Sequence, residues 1–125
     1  FGTWRPRSVR RGGRTVWQDH LAYLERLGPI LASREQGAPL VVVGDFNQRI
    51  PRRRGPIAAA EALRRALGDL VVATAGDLPG IDRQVIDHVA HSQGVRVAGV
   101  EGVDRHDREG RPLSDHDAVR VRLVV

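Results

Sequence analysis

The chain reads as an α/β fold on three observations. An apolar run, Leu40-Val41-Val42-Val43, ends in Gly44-Asp45-Phe46-Asn47 and has the length and composition of a buried strand. Ahead of it, apolar residues recur at helical spacing, with Trp17, Leu21, Leu24 and Leu27 four, three and three residues apart. At the C-terminal end Val119, Val121 and Leu123 alternate with Arg120 and Arg122, the period of a half-buried strand. Helix and strand patterns alternate first, and strands dominate afterwards.

Taken in order, Phe1 to Trp4 has the pattern of a strand end, and an arginine-, glycine- and proline-containing loop follows to Arg14. Thr15 with Gln18 three residues on forms a capping box, which starts a helix over 15–27. Gly28-Pro29 breaks or restarts that helix, because proline lacks the amide a helix interior needs. After the Leu40 strand, Gly44 lets the chain turn, and Gln48 to Gly55 is a loop with three consecutive arginines at 52–54. Pro56 opens an alanine-rich helix at its first position and Gly68 closes it. Leu70–Ala73, Val85–Ala90, Val95–Val100 and Ala118–Val125 are then four further strands, with a loop over Thr74–Gly80 and a solvated polar loop over Asp104–Glu109.

The length of 125 residues suits one modest domain. There is no cysteine, so disulfide frameworks and thiolate metal sites are excluded, and any metal must take oxygen or imidazole ligands. No apolar run approaches the roughly 18 residues of a membrane span. The start at Phe1 and the lack of methionine read as a fragment of a longer chain. Every Lys/Arg position is arginine, which coding bias towards GC-rich codons explains better than selection for a particular partner does. The net charge of +5 favours anionic partners, nucleic acid or phosphorylated small molecules, without choosing among them.

Three short motifs concentrate the chemistry. Asp45 and Asn47 leave the C-terminal end of a strand, where α/β sheets place their ligands. Asp87 lies among Val85, Ile86 and Val89, and an acid in such a run needs a partner to offset desolvation. Ser114-Asp115-His116 stands just ahead of the last strand, and His116 is the natural partner; an imidazole held by a carboxylate has a fixed tautomer and a free nitrogen for proton transfer. Together these residues point to metal-assisted hydrolysis of a phosphate ester. Asp82 is an alternative partner for His116. Asp45 and Asn47 are also ordinary turn formers, and Ser114 and Asp117 ordinary loop caps. His88 and His91, three apart in a strand, fall on opposite faces and cannot easily share a zinc ion with His106.

Gly44-Asp45-Phe46-Asn47 after a buried strand, Ile86-Asp87 within one, and Ser114-Asp115-His116 before a terminal strand occur in an order that resembles the endonuclease/exonuclease/phosphatase superfamily of magnesium-dependent phosphoesterases. The resemblance implies that residues 1–125 are the C-terminal part of a single such domain, with its N-terminal part absent. It implies half of a four-layer α/β sandwich, two central and mainly antiparallel sheets flanked by helices. It also implies site roles. Asp45 would orient or deprotonate the attacking water, Asn47 would hold the scissile phosphate, Asp87 would pair with His116, and His116 would contact the phosphate. Asp115, with Asp45 and Asn47, would bind Mg²⁺ or Mn²⁺. The family's metal-binding Glu is not found in this sequence, and Thr3 or Trp4 stands where many members carry a further catalytic His.

The resemblance implies a phosphate-ester substrate, a phosphodiester in preference to a monoester, with DNA the favoured example. A non-catalytic, arginine-rich module that binds nucleic acid on the same fold is the competing reading. Half a sandwich would leave apolar sheet positions such as Val41, Val43, Ile86 and Val121 at risk of exposure, from which self-association is expected.

Overall fold

A computed structural model describes residues 15–125, so the expected strand end and loop over 1–14 lie outside the described residues. The described chain is mixed α and β, in the order α1 (Val16–Ala32), β1 (Val41–Asp45), α2 (Ile57–Leu67), β2 (Val71–Val72), β3 (Asp87–His91), β4 (Arg96–Val103) and β5 (Ala118–Val124). It divides into two compact units. One holds the two helices, and the other, Glu35–Arg54 with Asp69–Val125, holds all five strands.

In the helical unit, the capping box forms as the sequence predicts: the Thr15 hydroxyl accepts from the Gln18 amide at 3.2 Å, and the Gln18 side chain accepts from the Thr15 amide at 2.8 Å. The helix does not stop at Gly28-Pro29, however, but runs on to Ala32 with Pro29 inside it. Proline removes one amide donor, and here the carbonyl left without it belongs to Glu25, an exposed residue that water can reach. Gly28 meets α2 closely: a Cβ there would lie 3.4 Å from the Cα of Ala66. The buried residues of α2, Ala59, Ala62, Leu63, Ala66 and Leu67, fall at i, i+3, i+4, i+7 and i+8, one helical stripe. Pro56 is the cap residue rather than the first helical one, and Gly68 ends the helix with φ of 58°.

In the strand unit, β3 is the middle of a three-stranded antiparallel sheet ordered β1-β3-β2. The ladder is extended at both ends, by the Phe46 amide donating to the Ile86 carbonyl at 2.9 Å and the Ser92 amide to the Leu40 carbonyl at 2.9 Å. The reading of Leu40–Val43 as a buried strand needs correction. β1 is an edge strand among the described residues, and Val41 and Val43 are exposed, 38% and 69%, while Val42 is half-buried. Ile86 and Val121 are half-buried. The central strand carries the core instead, with Val89 and Ala90 buried beside Val85, Leu70, Leu78 and Val95.

β4 and β5 form a second, two-stranded antiparallel sheet with an irregularity between Val97 and Gly99. The alternation predicted for β5 is present: Val119, Val121 and Leu123 are half-buried and Arg120 and Arg122 exposed. The hairpin continues into the segment the sequence had suggested was a solvated loop. His106 bridges Pro112, the Leu113 amide donates to the Arg105 carbonyl at 2.7 Å, and Asp107 accepts from the amides of Glu109 and Arg111, each at 2.9 Å. Short side-chain-to-backbone bonds of this kind organise a polar loop without a core. No described helix is long and apolar enough to cross a membrane.

Candidate active site

The antiparallel register sets Asp45 directly opposite Asp87, at the end of β1 and the start of β3. Paired residues of such a ladder share a face, so two carboxylates meet there, an unfavourable pairing unless a positive charge or donor joins them. His116 does so. Its Nδ1 lies 2.6 Å from Oδ2 of Asp87, and one ligand atom from each of Asp45, Asp87 and His116 fits within 4.8 Å of the others. Because an ionised carboxylate only accepts, the Nδ1–H donates and Nε2 is the nitrogen left for chemistry. The Asp87 and His116 side chains are 30% and 29% exposed, so the cluster is partly sheltered yet reachable.

The turn that follows Asp45 is made at Asn47, not at Gly44. Asn47 adopts φ of 57°, and its amide donates to Oδ1 of Asp45 at 2.8 Å. Asn is among the residues that tolerate this left-handed region. Gly44 lies within β1 opposite His88, and a Cβ there would meet nothing within 4 Å. The turn-former and site readings of Asp45 therefore coexist: Oδ1 holds the turn, and Oδ2 remains available.

Asp115 stands apart from the cluster. Its side chain is 74% exposed, and its Oδ2 lies 4.0 Å from Nε2 of His116. Ser114 caps locally, its hydroxyl accepting from the His116 amide at 3.2 Å. Asp82 is exposed at 88% and pairs with Arg83 at 3.7 Å, not with His116.

Asp117, which the sequence suggested was only a loop cap, is a buried anchor. Its carboxylate is 2% exposed and accepts from the Arg83 Nε at 2.8 Å, the Arg105 Nε at 3.2 Å and the Arg105 amide at 2.9 Å. Burial pushes this carboxyl up, but the bonds from Arg105 and Arg83 outweigh it and hold it down to about 2. Arg105 also donates to the Asp115 carbonyl at 2.6 Å. The residues on both sides of His116 are thus fixed by one guanidinium. A single carboxyl letter before a strand gives no sign that two arginines, 34 and 12 residues upstream, converge on it.

His88 anchors the loop that follows Asn47 from the opposite face of β3. Its Nδ1 lies 2.8 Å from the Thr74 hydroxyl and its Nε2 2.8 Å from the Gln48 carbonyl. A carbonyl only accepts, so Nε2 carries the proton, Nδ1 accepts from Thr74, and the Thr74 oxygen accepts in turn from the Val89 amide at 3.1 Å. Burial lowers the pKa of His88 and keeps it neutral, although the Gln48 carbonyl and the nearby Asp87 and Asp45 charges oppose the shift. The loop after Asn47 is further held by the Gly76 amide and the Ile50 carbonyl, 2.6 Å apart, and by the Phe46 ring against His88, with centroids 5.3 Å apart. His91 binds the Ser92 carbonyl and His106 binds Asp104, so the three histidines have separate partners.

The donor set fits a hard divalent cation. Asp45 and Asp87 each keep one carboxylate oxygen outside their hydrogen bonds to Asn47 and His116, and Mg²⁺ is commonly held by one or two carboxylates with water and substrate oxygens completing its shell. Such an ion would also relieve the repulsion between the facing acids. Comparisons with protein-family models, curated proteins and solved structures found no match.

Proposed function

We propose that the protein is a metal-dependent phosphoesterase that cleaves phosphodiesters by attack of water. The observation that carries this reading is the Asp87–His116 pair set beside Asp45 at the end of β1. It is supported further by the sequence resemblance to the endonuclease/exonuclease/phosphatase superfamily, under which residues 1–125 would be the C-terminal part of one four-layer α/β sandwich domain.

In this reading Asp87 holds the Nδ1–H of His116, so that Nε2 faces the substrate and binds or protonates a phosphate oxygen. Asp45 orients the attacking water through the oxygen that Asn47 does not occupy. Asn47, held in its turn, presents its side-chain amide to the phosphate, and Asp115, exposed beside His116 with 4.0 Å between its Oδ2 and Nε2, flanks the site. Asp45 and Asp87, with Asp115 and Asn47 beside them, would hold Mg²⁺ or Mn²⁺, and the ion would supply charge neutralisation at the phosphate and a more acidic water.

The test is Mg²⁺- or Mn²⁺-dependent cleavage of an aryl phosphodiester and nicking of supercoiled plasmid, with His116→Ala beside the unsubstituted protein. Metal-dependent activity that the variant loses supports the proposal. Salt-sensitive DNA binding with no hydrolysis of either substrate favours the non-catalytic nucleic-acid-binding module instead.

A further inference from the structure

Arg49, Arg53 and Arg54 line a cleft of about 380 Å³ together with Arg83, Asp77 and Asp82. Two stretches of chain build it. One leaves β1 after Asp45 and Asn47, and the other leads into β3 at Asp87. Because β1 and β3 are antiparallel with Asp45 opposite Asp87, both stretches extend from the sheet end that carries the candidate active site.

The charges in this cleft are unbalanced. Arg83 is committed to Asp117, Asp82 and Asp104, whereas Arg49, Arg53 and Arg54 have no carboxylate within 4.0 Å among the described residues. Asp77 and Asp82 lie in the same lining, but the four arginines outnumber the two aspartates, and an anion held between the cations lowers their mutual repulsion. Guanidinium groups match phosphate oxygens in pairs of parallel hydrogen bonds. No aromatic ring lines the cleft, so it is suited to a sugar-phosphate backbone and not to base stacking.

We infer that this cleft is a second phosphate subsite, which holds the backbone of a nucleic-acid strand beside the phosphodiester being cleaved. The inference rests on the phosphoesterase reading for the adjacent cleavage and narrows its substrate class from phosphodiesters in general to polynucleotides. Recognition there is independent of base sequence.

The experiment compares the unsubstituted protein with the double variant Arg53→Gln/Arg54→Gln and with Arg64→Gln/Arg65→Gln, which removes the same charge from exposed positions of α2. Binding of a fluorescein-labelled single-stranded oligonucleotide is titrated in EDTA at several salt concentrations. Cleavage of the oligonucleotide and of an aryl phosphodiester is measured with Mg²⁺. The cleft variant is expected to bind about 10-fold more weakly, with a salt slope reduced by roughly 1.4 for two lost contacts to a single strand. Its KM for the oligonucleotide should rise in parallel while turnover of the aryl ester, which has no second phosphate, changes less than about twofold. An equal loss in the α2 variant, unchanged binding in the cleft variant, or an equal loss on both substrates overturns the assignment. Oligonucleotide binding that depends on Arg53 and Arg54, without hydrolysis of either substrate, keeps the backbone-binding cleft and overturns only the phosphoesterase reading.

Discussion

Nδ1 of His116 lies 2.6 Å from Oδ2 of Asp87, a bond between the start of β3 and the loop that precedes β5. It fixes which imidazole nitrogen faces outward. Asp87→Asn keeps the size of the side chain but replaces a strict acceptor with a group that can present either an oxygen or an amide nitrogen to Nδ1, so the tautomer is no longer imposed. Under the proposed function kcat is expected to fall by about 10²-fold or more, with little change in oligonucleotide binding in EDTA. Steady-state kinetics beside a binding titration check this, and a loss confined to KM would count against the role given to the pair.

Asp117 should govern acid stability. Its folded carboxyl sits at about 2 against an ordinary 3.8, so it contributes stability that is complete above pH 3.8 and is lost as pH falls through 2. At about 1.4 kcal/mol per unit, the contribution is about 2 kcal/mol. Urea denaturation between pH 2 and 6 is expected to show this decline, and Asp117→Asn should lose it along with a comparable stability at neutral pH. Because Arg105 binds both Asp117 and the Asp115 carbonyl, the same variant should also loosen the His116 segment.

His88 predicts a second pH dependence, at a higher range. Its neutral form is preferred in the folded protein, so the unfolded chain takes up a proton first as pH falls below the ordinary value of 6.5. Stability should therefore decline from about pH 6.5 downward. His88→Gln can still donate to the Gln48 carbonyl and accept from Thr74 but does not titrate, and is expected to flatten that slope. His88→Phe removes the acceptor of the Thr74 hydroxyl and the donor to the Gln48 carbonyl, costs about 1–3 kcal/mol for each bond lost, and should speed amide exchange at Gln48–Ile50.

Gly80 and Gly37 make a matched pair of backbone tests. Both have positive φ, 93° and 83°, but a Cβ on Gly80 would lie 2.4 Å from the carbonyl oxygen of Gly102, whereas one on Gly37 meets nothing within 4 Å. Gly80→Ala is expected to cost more than about 2 kcal/mol, because strain and a backbone clash add, and Gly37→Ala only about 1 kcal/mol. Thermal or urea unfolding of the two variants distinguishes them.

The sequence by itself determined most of the local structure. The Thr15–Gln18 capping box, the stripe of α2 and the Val/Arg alternation of β5 are each set by neighbours within a few residues. It also singled out Asp45, Asp87 and His116, because an acid inside an apolar strand and an imidazole before another are costly unless used together. Tertiary structure decided the rest. Helix α1 passes through Pro29, and the residue whose carbonyl loses its donor, Glu25, is exposed. β1 is an edge strand because pairing order, which no local pattern encodes, puts β3 in the middle, and Val41 and Val43 on one of its faces are exposed. Asp117 became an anchor and His88 a neutral strut only when Arg83, Arg105, Thr74 and Gln48 arrived from distant positions. Hydrogen bonds between residues 12 to 40 apart depend on where the chain returns, and that return is fixed by the packing of the whole unit.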